Sequence, residues 1–166
     1  MFEPVPANDG NELSNAAYEG DTTKVKDLLD QGANANHQRF NDGVTALLMA
    51  GQNGHTEVIK LLLAHKAEVN LPTRNGTTVL MMAAENGHIE AVKLLLAHGA
   101  EVNVQDYTNG ATALFVAVIK DHEEIVKILL AKGADVTLQV RGGITPLVAA
   151  KTKPIIQLLE EASTRR

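Results

Sequence analysis

The stretch that decides the fold runs from Thr78 to Asn103 and reads TVLMMAAENGHIEAVKLLLAHGAEVN. Residues 45–70, TALLMAGQNGHTEVIKLLLAHKAEVN, repeat it at most positions. The threonine can cap a helix that the apolar run after it forms, and Gly87 can end that helix in a left-handed conformation. Ala91, Val92, Leu94 and Leu95 are spaced for one buried face of a second helix. Each stretch therefore predicts two short helices joined by a tight turn.

The motif recurs along the chain with a constant period. A Thr-X-Leu triplet begins at Thr45, Thr78, Thr112 and Thr145, every 33 or 34 residues, and a degenerate copy begins at Asn11. A period of this length is typical of repeat architectures. One unit cannot bury its apolar face alone, so the units are expected to stack on their neighbours.

Three features together resemble the ankyrin repeat: the Thr-X-Leu start, the Gly-His turns at Gly54-His55 and Gly87-His88, and the Leu-Leu helices. The resemblance covers about residues 11–162. It implies an all-α solenoid of stacked helix-turn-helix units joined by β-hairpin-like loops, called fingers. The histidine that follows Thr-Pro-Leu in the family is replaced in every unit, by Leu48, Met81, Phe115 and Val148. These four residues predict an apolar layer between units; alternatively, Leu48, Met81 and Phe115 form an apolar floor for a binding groove.

The predicted organisation is a flexible lead-in, residues 1–10, followed by one domain of about five units. The units span about 11–44, 45–77, 78–111, 112–144 and 145–166. The terminal units are expected to act as caps, because the first helix is polar and the last unit lacks three residues. Lys66 stands where three other units have the glycine that ends the second helix, so we expect it to be left-handed.

Composition excludes several classes of function. The net charge of −5 argues against a nucleic-acid partner, which usually requires a basic patch. The absence of cysteine excludes disulfides and thiolate chemistry. No apolar stretch approaches the roughly 20 residues of a membrane span, and the first residues do not resemble a signal peptide. A cytoplasmic protein without membrane contact is the default expectation, with a processed periplasmic or secreted form left open.

Histidines recur in phase but do not predict a metal site. Equivalent residues of stacked units lie roughly 8–10 Å apart, too far to share one ion. Capping and surface roles are therefore expected for His55, His88 and His122, and also for His65 and His98. The two serines, Ser14 and Ser163, lie in no nucleophile motif. No enzyme activity, catalytic residue, metal or cofactor is predicted.

The finger loops supply the candidate binding residues. One column at their tips, which we call the fingertip row, contains Phe40, Arg74, Tyr107 and Arg141. It holds two of the five aromatic residues of the chain. Aromatic and arginine side chains are enriched in binding hot spots, which favours a protein-binding edge. The alternative is that the two aromatic rings pack against neighbouring turns.

The inner helices extend this candidate surface. In the resembled family the residues just before the Gly-His turn face the partner, and here we single out Tyr18, Gln52, Glu85, Ile119 and Lys120. The resemblance implies a non-enzymatic module that binds protein. We expect it to inhibit or sequester one protein partner, for example an enzyme, because the sequence suggests no second domain and five units suit one standard interface. A scaffold or adaptor is the alternative, and the free chain is expected to be a monomer.

Overall fold

The computed structural model describes residues 9–165, which form ten helices in two layers. The helices are α1 (Asp9–Glu19), α2 (Thr22–Asp30), α3 (Ala46–Asn53), α4 (Thr56–Ala64), α5 (Val79–Glu85), α6 (Ile89–Ala97), α7 (Ala113–Ile119), α8 (Glu123–Ala131), α9 (Pro146–Ala149) and α10 (Lys153–Thr164). Odd-numbered helices pack on one another in chain order as an inner layer, and even-numbered helices do the same as an outer layer. Each inner helix also packs on the outer helix that follows it. The predicted all-α solenoid is confirmed.

Threonine side chains begin the inner helices, as the sequence predicts. Thr45 Oγ1 accepts a hydrogen bond from the backbone N–H of Leu48 at 3.2 Å, and Thr78 does the same for Met81 at 3.3 Å. Thr112 and Thr145 make the equivalent bonds. Each bond satisfies a donor that the helix itself leaves unpaired, which stabilises a helix by about 1 kcal/mol.

The turn between the two helices of a unit requires left-handed backbone. Gly54 ends α3 with φ 70° and donates its N–H to the carbonyls of Ala50 and Gly51. Two non-glycine residues in the described part of the chain have a positive backbone φ, Lys66 at 65° and Asp121 at 62°. The prediction for Lys66 is confirmed, whereas Asp121 was not foreseen. Each costs roughly 1–2 kcal/mol relative to glycine.

The core between the layers is aliphatic. The outer helices bury most of the predicted faces: Val58, Ile59 and Leu62 of α4 are at most 1% exposed, as are their counterparts in α6 and α8, whereas Leu94 is only partly buried. Leu48, Met81 and Phe115 are also buried. Packing between units, rather than an apolar groove floor, is therefore the correct interpretation for Leu48, Met81 and Phe115. Val148 differs from them, since 72% of its surface is exposed.

A row of histidines joins successive units. The Nε2–H groups of His55, His88 and His122 donate to the carbonyls of Tyr18, Gln52 and Glu85, at 2.9, 2.8 and 2.9 Å. These carbonyls lie in the last turn of the preceding inner helix, where no intrahelical partner is available. The three histidines occupy the N-cap positions of α4, α6 and α8, but their side chains make no capping bond. The rings thus cap the C-terminus of the preceding inner helix rather than the N-terminus of their own helix, and in doing so they link two units.

Two predictions concern the ends of the chain. Residues 1–8 of the predicted flexible lead-in lie outside the described residues, and Asp9 and Gly10 are the first residues of α1. At the other end α9 has only four residues and α10 begins at Lys153, which accounts for the shortened last unit. The division into five units with the boundaries given above stays a prediction.

Candidate protein-binding surface

Each inner helix leaves one side uncovered. In α3, five of the eight residues are buried, and Met49, Gln52 and Asn53 are partly exposed. Neighbouring inner helices cover two sides of this helix and α4 covers the third, so the exposed residues mark the fourth side. The equivalent residues repeat along the stack, so these free sides together form one face of the molecule. We call this face the groove.

A half-buried apolar strip forms the floor of the groove. It consists of Met49, Met82, Val116 and Ala149, each four positions after the capping threonine of its unit. This strip was not predicted from the sequence, which pointed to the residues one position earlier. The threonine caps could have located it, because they fix the helical register and one residue is a rotation of about 100°. Methionine side chains adapt to partners of different shape.

Sequence-predicted residues flank this floor. Tyr18 and Ile119 are 46% and 37% exposed, and Gln52 and Glu85 are half-buried. Lys120 is exposed and its Nζ lies 3.8 Å from Glu85 Oε1, across the boundary between two units. Both charged side chains are more than a third exposed, so this ion pair contributes little stability. It leaves both groups accessible to a partner.

The fingers are short backbone hairpins. Each is closed by a backbone hydrogen bond, from Arg39 to Val44, Thr73 to Thr77, Asp106 to Ala111 and Val140 to Ile144, at 2.9–3.0 Å. We number these fingers one to four, as residues 39–44, 73–77, 106–111 and 140–144. The carboxylate of Asp106 also accepts from three successive N–H groups of finger three, those of Thr108, Asn109 and Gly110. Such side-chain bonds fix a turn without help from a neighbour.

Backbone hydrogen bonds also join each fingertip to the finger before it. The N–H of Arg74 donates to the carbonyl of Asp42 at 2.9 Å, and that of Tyr107 to Asn75 at 2.8 Å. Arg141 donates in the same way to Asn109 at 2.7 Å. The structure thus brings the four residues of the fingertip row together as one edge. Their spacing is held by backbone rather than by flexible side chains.

The side chains of the row point outward. Phe40 is 86% exposed and Tyr107 is 66% exposed, although one side of the Tyr107 ring packs against Gly76 in the neighbouring finger. The guanidinium carbon of Arg74 lies 5.3 Å from the centre of the Phe40 ring, a cation–π distance. Arg74 and Arg141 form no ion pair within residues 9–165. Two aromatic rings and two uncompensated cations are therefore available at this edge.

A third arginine behaves differently. Arg39 forms an ion pair with Asp42 at the base of finger one, and its hydrogen bond holds the pKa of the Asp42 carboxyl below its ordinary value. The same carboxylate accepts from the N–H of Val44. Arg39 is thus committed to the finger itself, which distinguishes it from the two arginines of the row.

Two other kinds of site are absent from the described part of the chain. No three histidine, aspartate or glutamate side chains there are placed to hold a metal ion. Within the same residues, no helix has both the length and the apolar character needed to cross a bilayer.

Two protein-family models match parts of the chain. The family described as ankyrin repeats in three copies matches residues 13–106, and the single ankyrin repeat matches residues 109–140. The two matches extend from within α1 to residue 140 and leave only residues 107 and 108, in finger three, between them.

Curated relatives match over part of the chain. Serine/threonine-protein kinase 12 of Arabidopsis thaliana is 41% identical over 71 residues, 42% of this chain and 15% of the relative. The 2-5A-dependent ribonuclease of Mus musculus is 36% identical over 67 residues, 40% of this chain and 9% of the relative. Cortactin-binding protein 2 of Plecturocebus moloch is 41% identical over 59 residues, 35% of this chain and 4% of the relative. The chain thus covers a small part of each relative, and the two enzymes match only in the repeat region.

Proposed function

The chain belongs to the ankyrin-repeat family, and we propose that it binds one protein partner through the groove and the fingertip row and thereby inhibits or sequesters that partner. Ankyrin repeats are typical of protein-binding modules and are typically non-catalytic. The observation that carries the proposal is the exposure of Phe40 and Tyr107 beside two unpaired arginines on a backbone-fixed edge. Aromatic and arginine anchors of this kind dominate binding energies.

Two further features support binding by this side of the molecule. Hydrogen-bonded fingers lose little conformational freedom on binding, which favours affinity. The outer helices present salt-bridged lysines instead, such as Lys60 with Glu57 and Lys93 with Glu90. Lysine and glutamate are depleted from interface cores, so the outer layer is the weaker candidate.

The size of the groove supports a single partner. Five stacked units at about 10 Å each span roughly 50 Å, which suits one interface of around 1,600 Å². A surface of this length that covers the active or docking site of an enzyme would exclude its substrate. Inhibition or sequestration is the proposed consequence.

The test is an affinity capture from the native organism with three baits. One is the unaltered chain, the second carries Phe40→Ala, Arg74→Ala, Tyr107→Ala and Arg141→Ala, and the third carries Lys60→Ala and Lys93→Ala on the outer helices. We expect the second bait to lose the partner by about 100-fold in affinity, because two or more hot-spot residues are removed. The third bait should retain it.

Two outcomes would contradict the proposal. Equal capture by all three baits would exclude the fingertip row as a contact that binding requires, and would contradict the proposal that the row and the groove act together. A partner that binds in a one-to-one complex but keeps its own activity and its access to other proteins would exclude inhibition and sequestration, and would favour the scaffold or adaptor. Sizing of the purified complex and an activity assay of the partner distinguish these cases.

A further inference from the structure

Within the described residues, finger four has no following finger packed against it, unlike fingers one to three. The carbonyls of Asp42, Asn75 and Asn109 each accept an N–H from the next fingertip. The equivalent carbonyl, three positions before Thr145, belongs to Gly142, and it accepts no hydrogen bond within residues 9–165. A Cβ atom added at Gly142 would meet nothing within 4 Å. The edge of the finger row is therefore open at this end.

An apolar pair lies exposed beside this open edge. In the preceding unit Ala111 and Phe115 are buried, and they pack against Val140 at the start of finger four. Ile144 and Val148 are the equivalent residues of the last unit, and they are 40% and 72% exposed. Ile144 and Val148 are thus placed to contact an apolar residue of a fifth finger, as Ala111 and Phe115 contact Val140 of finger four.

We propose that this end accepts an extended segment of the protein partner as an additional finger, with an apolar residue on Ile144 and Val148 and an acidic residue beside Arg141. This inference rests on the proposed function, because the segment belongs to the partner. An N–H group of the segment donates to the carbonyl of Gly142, as Arg141 donates to Asn109 in the finger before. Strand addition to an open edge is an established mode of peptide recognition.

The register of the fingers predicts the order of the two residues. Val140 packs on the preceding unit, and the next residue, Arg141, belongs to the fingertip row. In the first two fingers, adjacent members of the row are in contact, since Arg74 lies over the Phe40 ring. The residue after the apolar one would therefore lie beside Arg141. Because Arg141 makes no ion pair in the described part of the chain, an aspartate or glutamate complements it best.

A further ankyrin unit is a poorer occupant than a partner segment. Asn36, Asn70 and Asn103 couple each loop to the next, by accepting an N–H and donating to a carbonyl of the following unit. Thr137 takes this position in the last loop and bonds Asp135 of its own loop instead. The asparagine coupling thus ends here, whereas the backbone acceptor and the apolar pair remain, as does Gln139, the counterpart of Gln38 and Gln105, which bond to carbonyls of the next loop.

The test uses the full chain and two synthetic probes of about eight residues, a length that spans the finger in extended form. One peptide alternates valine and glutamate, and the other alternates valine and lysine. We expect the glutamate peptide to bind and to shift the NMR signals of residues 142–148. The lysine peptide and the Arg141→Ala variant should each bind about tenfold more weakly, and Val148→Asp should abolish binding. Val148 is exposed, so this substitution should leave the fold intact, which circular dichroism verifies.

Several results would overturn the inference. One is that the glutamate peptide does not bind at concentrations up to about 1 mM. The others are equal binding of both peptides and NMR shifts confined to residues outside 142–148. Self-association of the chain that Val148→Asp removes would assign this end to a second copy instead. A captured partner that is lost with the fingertip-row bait but retained by Val148→Asp would overturn only this inference. A partner retained by both would overturn the proposed function.

Discussion

Gly54→Ala is expected to lower the free energy of unfolding by about 3 kcal/mol, through two separate effects. The first is the left-handed backbone at φ 70°, which costs an alanine roughly 1–2 kcal/mol. The second is the His88 ring of the next unit: an alanine Cβ would lie 2.4 Å from its Nδ1 and 2.6 Å from its Cγ. The ring would have to move, and its 2.8 Å bond to the carbonyl of Gln52 would be lost.

Gly99→Ala is the matched control for this substitution. Gly99 also has a positive φ, 85°, but a Cβ there would meet nothing within 4 Å. Both changes reduce the freedom of the unfolded chain equally, so the difference between them measures the contact with His88. Urea unfolding should show Gly54→Ala to be the less stable variant by about 1–2 kcal/mol.

A double-variant cycle makes the comparison decisive. In the background of His88→Ala the ring is absent, so Gly54→Ala should cost no more than Gly99→Ala costs in the unaltered chain. If Gly54→Ala and Gly99→Ala destabilise the chain equally, or if His88→Ala relieves nothing, the histidine link between units does not have the role assigned to it.

Removal of residues 144–166 is expected to cause aggregation. It deletes α9 and α10, which cover α7 and α8. Ile125 and Leu129 of α8 are at most 1% exposed and would lose part of this cover, as would Phe115 of α7. Each large apolar side chain exposed in this way costs roughly 1.5–3 kcal/mol, and a stack is stabilised mainly through contacts between neighbouring units.

The measurement combines circular dichroism with size-exclusion chromatography. A chain that ends at Ala162 is the control, because Ser163, Thr164 and Arg165 are exposed at the end of α10 and their loss should leave folding unchanged. A truncated chain ending at residue 143 that stays monomeric with the helical signal of an intact stack would refute the capping role of the last unit.

The fold was predictable because its signals are local. Thr45 and Gly54 define the ends of one helix within ten residues, and the same pair of signals recurs in phase. The link made by His55 was not predictable in this way, because its acceptor is the carbonyl of a residue 37 positions earlier. The left-handed conformation of the non-glycine residue Asp121 is likewise explained only by the structure. In the last unit no histidine ring lies beside this position, so a side chain fits there, and Thr152 donates a hydrogen bond to the Asp121 carboxylate at 2.6 Å.

The candidate site was predictable only in part. The column of Phe40, Arg74, Tyr107 and Arg141 follows from the repeat register, but the backbone bonds that hold it depend on how adjacent loops approach. Met49 and Met82 of the groove floor each directly follow a buried residue in the sequence, so an error of one position in the predicted helical register assigns the wrong residue to the groove. Val148 is exposed although its counterpart Phe115 is buried against Val140, and this difference depends on tertiary contacts that no local pattern encodes. The binding role of all these residues stays a prediction.

The most direct test of the central claim is a hydrogen–deuterium exchange footprint of the purified complex with the captured partner. We predict that the partner slows hydrogen–deuterium exchange in the four fingers and at the ends of α3, α5 and α7. Exchange in the outer helices α4, α6 and α8 should be unchanged. Protection confined to the outer helices, with fingers as accessible as in the free chain, would contradict this prediction.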